Sequence, residues 1–169
     1  MGSQKHRIIK QCAYALLIML AFVAQNARGL PTALMGGRLD MLPVLVAAIA
    51  LFEGPYTGGA LGFFAGLLLA IHSPMVEGLS ALYLGLFGIG FGILGSGWLR
   101  RVCPAALIGG LSAIALQGVV RYVFYSRMVY GLMLADVWQP LVGELLLAVL
   151  PGIGAFYLVR GLHRRFSEE

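Results

Sequence analysis

The chain has 169 residues, of which 60% are hydrophobic and only 11% are charged. A soluble globular domain carries about 25% charged residues, so this composition argues against a soluble fold, which would lack the polar groups to cover its surface. The net charge of +5 comes from 12 basic residues that occur in clusters. Clustering argues against nucleic-acid binding, which needs a basic stripe on a polar face, and indicates basic residues sorted to one side of a membrane.

The first predicted element is a transmembrane helix over residues 8–25. Lys5, Arg7 and Lys10 lie at the start of an apolar run that continues to Ala24. This N-terminus is similar to a signal peptide, but residues 24–27 lack the A-x-A spacing of a cleavage site and further hydrophobic segments follow. We therefore predict an uncleaved first helix.

The second and third predicted helices cover residues 39–53 and 56–71, and the triplet Glu53-Gly54-Pro55 separates them as a helix breaker. The uncharged part of the second segment spans only about 18 Å as a helix, whereas the hydrocarbon core of a bilayer is about 30 Å thick. This segment must therefore extend past its flanking carboxylates, Asp40 and Glu53, or enter the bilayer without crossing it.

The last three predicted helices cover residues 78–99, 103–123 and 141–159. Between the last two, the aromatic-rich stretch over residues 122–140 predicts a segment at the outer membrane interface. A cytoplasmic N-terminus and six crossings place most basic residues inside, as the positive-inside rule requires; these are Lys5, Arg7, Lys10, Arg100, Arg101, Arg160, Arg164 and Arg165. We predict an all-α integral membrane protein, a single polytopic domain over residues 1–169 with both termini cytoplasmic.

No pattern in the sequence indicates catalysis or a metal. Ser96 lies between two glycines, as in intramembrane serine proteases, but such an enzyme needs a histidine on a later helix, and the only later one, His163, is in the basic tail. Cys12 and Cys103 have no nearby histidines and do not form a zinc site. We therefore expect no enzyme activity, no metal and no cofactor.

Glycine spacing supplies the clearest structural pattern. Gly58, Gly62 and Gly66 recur every four residues on the third helix, and Gly88 and Gly92 form a similar strip on the fourth. Small residues let helices approach closely in lipid, where the hydrophobic effect does not drive them together. The stripe is therefore a site of internal packing between helices three and four, of docking by a partner's helix, or of both.

Arg121 and Glu144 are the candidate ion pair. Arg121 closes the fifth helix and Glu144 opens the sixth, so both fall near the predicted outer face. Intramembrane charges are costly and tend to be paired or functional. We predict a structural ion pair between them.

A family resemblance covers residues 37–101. A proline opens helix two within the D-M-L-P run at residues 40–43, and the glycine-spaced helix three ends in the G-L-L-L run at residues 66–69. A polar turn at residues 77–79 then leads into the glycine-rich helix four. This pattern resembles the MreD family, the rod-shape-determining inner-membrane proteins of bacteria. One position departs from it, because Ala70 stands where the family usually has an acidic residue, and that carboxylate's role does not carry over.

The resemblance implies a non-enzymatic role in the cell-elongation machinery. MreD-like proteins bind MreC, a single-span protein with a periplasmic domain, and associate with the RodA glycosyltransferase and a class B penicillin-binding protein. It also implies a location in the bacterial inner membrane, among lipid, and a fold similar to the S components of energy-coupling-factor vitamin transporters.

That similarity of fold supplies an alternative function, the substrate-binding S component of such a transporter. S components carry an A-x-x-x-A stripe on helix one, and no alanines in this helix one have that spacing. Their pockets also need several converging polar residues, and the predicted outer loops offer few; these are Asn26, Arg28, His72, Glu77, Arg127 and Asp136. We therefore favour the scaffold.

Overall fold

The structure is a computed structural model, and it describes residues 2–26, 33–34, 37–38, 40–72, 78–97, 102–123 and 134–167. Within them the helices are α1 (Gly2–Asn26), α2 (Leu42–Glu53), α3 (Pro55–His72), α4 (Leu79–Gly97), α5 (Cys103–Arg121) and α6 (Leu134–Ser167). A minimal antiparallel hairpin, β1 (Ala33–Leu34) and β2 (Gly37–Arg38), lies between α1 and α2. The predicted all-α fold class is confirmed, and this hairpin is the one feature of the described residues that departs from it.

The short helix α2 forms the centre of the bundle. Every residue from Leu42 to Phe52 is buried, and α2 contacts each of the other five helices. A helix that is apolar on all sides is either enclosed by protein or faces lipid, and α2 is enclosed by protein. Because protein rather than lipid surrounds α2, the bilayer does not set its length, and 12 residues are sufficient.

Four of the described helices are long and apolar enough to cross a membrane. Their apolar parts are Ile8–Asn26, Leu79–Gly97, Cys103–Val120 and Leu141–Arg165, whereas α2 and α3 are shorter. The chain is therefore a multi-pass membrane protein by length and composition. The first of these helices is the least embedded, since 11% of its apolar window is buried against 33–50% in the other three.

Two helices are longer than the sequence analysis predicts. Helix α1 begins at Gly2 instead of residue 8, and α6 covers Leu134–Ser167 instead of residues 141–159. Part of the predicted interfacial segment, residues 134–140, thus belongs to α6, and residues 124–133 lie outside the described residues. At the start of α1 and the end of α6, basic side chains end the hydrophobic window but not the helix, because arginine and lysine are good helix formers.

A tight connection joins α2 to α3. Gly54 adopts a φ of +86°, a left-handed conformation that glycine adopts without a steric penalty. Its N–H donates to the carbonyl of Ala50 at 3.0 Å and ends α2, and Pro55 opens α3 where a helix needs no N–H donor. This turn fixes the position of Glu53 at the end of the central helix.

Candidate functional site

The glycine stripe on α3 lies against α4 and α2. A Cβ atom added at Gly62 would be 2.5 Å from the carbonyl oxygen of Leu84 on α4 and 3.1 Å from Cγ1 of Val46 on α2. One added at Gly58 would be 2.6 Å from the Cβ of Ala50. Neither position has room for a side chain, because real Cβ atoms do not approach neighbours so closely.

The remaining predicted glycines occupy the same contact. A Cβ at Gly88 would meet the carbonyl oxygen of Gly58, and one at Gly92 would be 2.6 Å from the Cα of Pro55. Gly66 packs against the α4 backbone, and the Ser80 hydroxyl donates to its carbonyl at 2.9 Å. The structure thus uses all five glycines for packing between helices of this chain, and none of them lines an open groove.

A polar chain crosses the bundle at the end where α2 begins, which we call the Asp40 end. The Tyr83 hydroxyl on α4 donates to Oε1 of Gln117 on α5 at 2.9 Å, and Nε2 of Gln117 donates to Oδ2 of Asp40 at 3.2 Å. Gln117 is almost fully buried. Tyr83 and Gln117 are not among the candidate residues predicted from the sequence, although an amide in the apolar run of helix five is a usable signal.

Glu144 lies near this end too. It is 2% exposed, which is unusual for a carboxylate. One turn deeper, Ala148 packs with Val44 and Ile114. The side chain of Arg121 lies outside the described residues, so its ion pair with Glu144 stays a prediction.

A second polar cluster lies at the opposite end, and we call it the Glu53 cluster: Lys10, Tyr14, Glu53 and His163. Oε1 of Glu53 accepts a hydrogen bond from the Tyr14 hydroxyl at 2.9 Å and lies 2.7 Å from Nζ of Lys10. It also lies 2.6 Å from Nδ1 of His163. One carboxylate oxygen therefore joins α1, α2 and α6.

The proton on His163 decides which hydrogen bonds this cluster makes. Nζ of Lys10 is 3.3 Å from Nδ1 of His163. With a proton, Nδ1 donates to Glu53; without one, it accepts from Lys10, and it cannot do both at once. The imidazole also packs on Phe52, with ring centroids 5.3 Å apart. The cluster is an ion-pair network with alternative proton arrangements.

Glu53 stands out in the sequence as a carboxylate beside an apolar run, but the sequence does not predict its partners. Tyr14 is 39 positions away and His163 is 110 positions away. The predicted topology was the usable signal for these partners. It places the start of helix one, the end of helix two and the end of helix six on the same side of the membrane.

No protein-family model, curated protein or solved structure matches this chain. The resemblance to MreD and the expected similarity to S components therefore rest on the sequence pattern alone. Among the described residues, no group of three or more His, Cys, Asp or Glu side chains could hold a metal ion.

Proposed function

We propose that the chain is a non-enzymatic scaffold of the bacterial cell-elongation machinery, in the inner membrane with both termini in the cytoplasm. One observation carries this proposal: the residues that form the MreD-like pattern lie at structurally constrained positions of the fold. Pro43 lies in the first turn of the central helix, and Gly78 adopts a φ of +83° before α4. Gly62 has no room for a side chain. Residues of the MreD-like pattern thus lie where the fold needs a helix start, a positive φ or a close contact between helices.

The proposed orientation is supported by the Glu53 cluster and by charge. Lys10 and His163 contact one carboxylate, so the start of α1 and the end of α6 lie at the same end of the bundle. Arg164 and Arg165 are exposed near that end. Basic clusters favour the cytoplasmic side, which supports a cytoplasmic location for the Glu53 end.

The proposed partners are an MreC-like single-span protein, a RodA glycosyltransferase and a class B penicillin-binding protein. Because the five glycines are occupied by internal packing, a partner's span would dock on lipid-facing side chains instead. Such contacts depend on van der Waals packing and on polar groups, since lipid gives no hydrophobic driving force.

Co-purification tests the proposal. The chain is co-expressed with a tagged single-span protein from its own genome that has an N-terminal span and a coiled-coil segment. We expect the two to co-purify in mild detergent, whereas an unrelated single-span protein, expressed at the same level, should not bring the chain down. Recovery of folded chain without the coiled-coil protein would contradict the proposal.

One observation favours the S component of a vitamin transporter as a second candidate. Asp40, Gln117 and Tyr83 form a hydrogen-bonded chain inside the bundle, near the buried Glu144. Polar groups at the proposed outer end could recognise a polar metabolite. Thermal unfolding of the purified chain with a panel of vitamins separates the candidates, because an S component is stabilised by its ligand and the scaffold predicts no shift.

A further inference from the structure

Helix α1 is attached to the rest of the bundle along one stripe of residues, and flanking side chains of α1 also pack against the core. Tyr14 and Ile18 are fully buried, Phe22 packs against the core, and Lys10 reaches Glu53. These four residues recur every four positions, so they share one face of the helix. The other faces expose large apolar side chains; these include Ile9, Leu16, Met19, Leu20 and Val23.

Polar contacts hold both ends of this stripe. At the Asp40 end, the amide oxygen of Gln25 accepts from the backbone N–H of Met41 at 3.1 Å. At the Glu53 end, Lys10 and Tyr14 both bind one carboxylate oxygen. Apolar side chains of α1 gain little by leaving lipid for protein, so these polar contacts weigh heavily in keeping α1 docked.

The carboxylate of Glu53 is held in place by parts of the chain other than α1. Gly54 and Pro55 fix the end of α2, and His163 on α6 contacts the same oxygen. If α1 moved away, Glu53 would keep His163 as a partner. Lys10 lies near the start of its helix, where a long side chain can extend its charge to water. Separation of α1 therefore leaves no buried charge without a partner.

We propose that Glu53 is a latch that holds α1 on a core formed by α2 to α6, so that α1 is a separable helix whose docking depends on this carboxylate. The latch is independent of the scaffold proposal, because it needs no partner protein and is measured on the purified chain.

Distances between spin labels test the latch in lipid vesicles. Cys12 and Cys103 are replaced by serine, and labels are placed at Ile9 on α1 and Leu158 on α6, both of which are exposed. We expect a narrow distance distribution in the otherwise unchanged chain. Glu53→Gln removes the charge that binds Lys10, and we expect a broader distribution with a longer mean distance.

Two further variants and a second label pair define the outcomes. Tyr14→Phe removes one of the two donors on α1 and should broaden the distribution less than Glu53→Gln does. His163→Ala removes the α6 partner of Glu53 and one contact to Lys10, and should broaden the distribution less than Glu53→Gln does. A label pair at Leu94 and Ile108 on α4 and α5, also exposed, should report an unchanged core throughout.

Three results would overturn the latch. The first is a distribution in Glu53→Gln that matches the unchanged chain. The second is broadening in His163→Ala as large as that in Glu53→Gln, because the docking of α1 would then not depend mainly on the carboxylate. The third is a change in the core pair in Glu53→Gln, which would mean that α1 does not separate alone.

Discussion

At the scale of single residues, the two most informative side chains are the carboxylates Glu53 and Glu144. Each stands beside or within an apolar run, and the cost of such a charge in a membrane is reason enough to single it out from sequence. The partners of these carboxylates cannot be predicted from the sequence in the same way. Those of Glu53 come from α1 and α6, far away along the chain, and only the packed bundle brings them together.

Glu144→Ala should destabilise the fold by about 3–5 kcal/mol if Glu144 pairs with Arg121, because removing one member of a buried pair strands the other charge. The measurement is the free energy of unfolding in detergent, for both single alanine variants and the double variant. A charge-swapped chain, Arg121→Glu with Glu144→Arg, should recover part of the loss. Additive losses in the double-mutant cycle would contradict the pair.

At the scale of helices, the positions of the helices and the glycine-bearing faces could be predicted from the sequence. Which helices pack against one another was harder to predict. Spacing alone puts Gly58, Gly62 and Gly66 on one face, and the Gly54-Pro55 turn is a local signal. The central place of α2 could not be predicted in the same way. Its residues are apolar on all sides, and that composition suits a helix enclosed by protein as well as one facing lipid.

Gly62→Leu should leave a poorly folded chain that barely accumulates in the membrane. A side chain there meets the Leu84 carbonyl, which is backbone and cannot rotate away. Over-packing typically costs about 1–3 kcal/mol, and more where the neighbour cannot move. The measurement is the amount of folded chain in membrane extracts, by size-exclusion chromatography.

The matched control is Gly90→Leu on α4. A Cβ at Gly90 meets nothing within 4 Å, so this variant should accumulate like the unchanged chain. Equal accumulation of both variants would mean that the close contact between α3 and α4 is not needed for folding.

At the scale of the whole molecule, composition was enough to predict a membrane bundle, because 60% hydrophobic and 11% charged residues leave few alternatives. The positions of the basic clusters predicted which end of the bundle is cytoplasmic. What composition could not supply is the β1–β2 hairpin beside α6 or the polar chain through Gln117. The polar chain joins segments that are distant in sequence, and the two-residue strands of the hairpin are too short to show a local pattern.

Both termini should be cytoplasmic, because Lys10 and the exposed Arg164 and Arg165 lie toward one end of the bundle and basic clusters stay inside. Fusions of green fluorescent protein and alkaline phosphatase to each terminus report the side directly. We expect fluorescence and no phosphatase activity at both ends. An active phosphatase at the C-terminus would contradict the predicted topology.

Depletion of the protein in the organism it comes from, with cell shape followed by microscopy, tests the scaffold function most directly. We predict that rods widen and round up as the protein is depleted, and that the unchanged gene restores the rod while Gly62→Leu does not. Cells that keep their shape through complete depletion, but lose uptake of a vitamin, would contradict the scaffold and establish the transporter component instead.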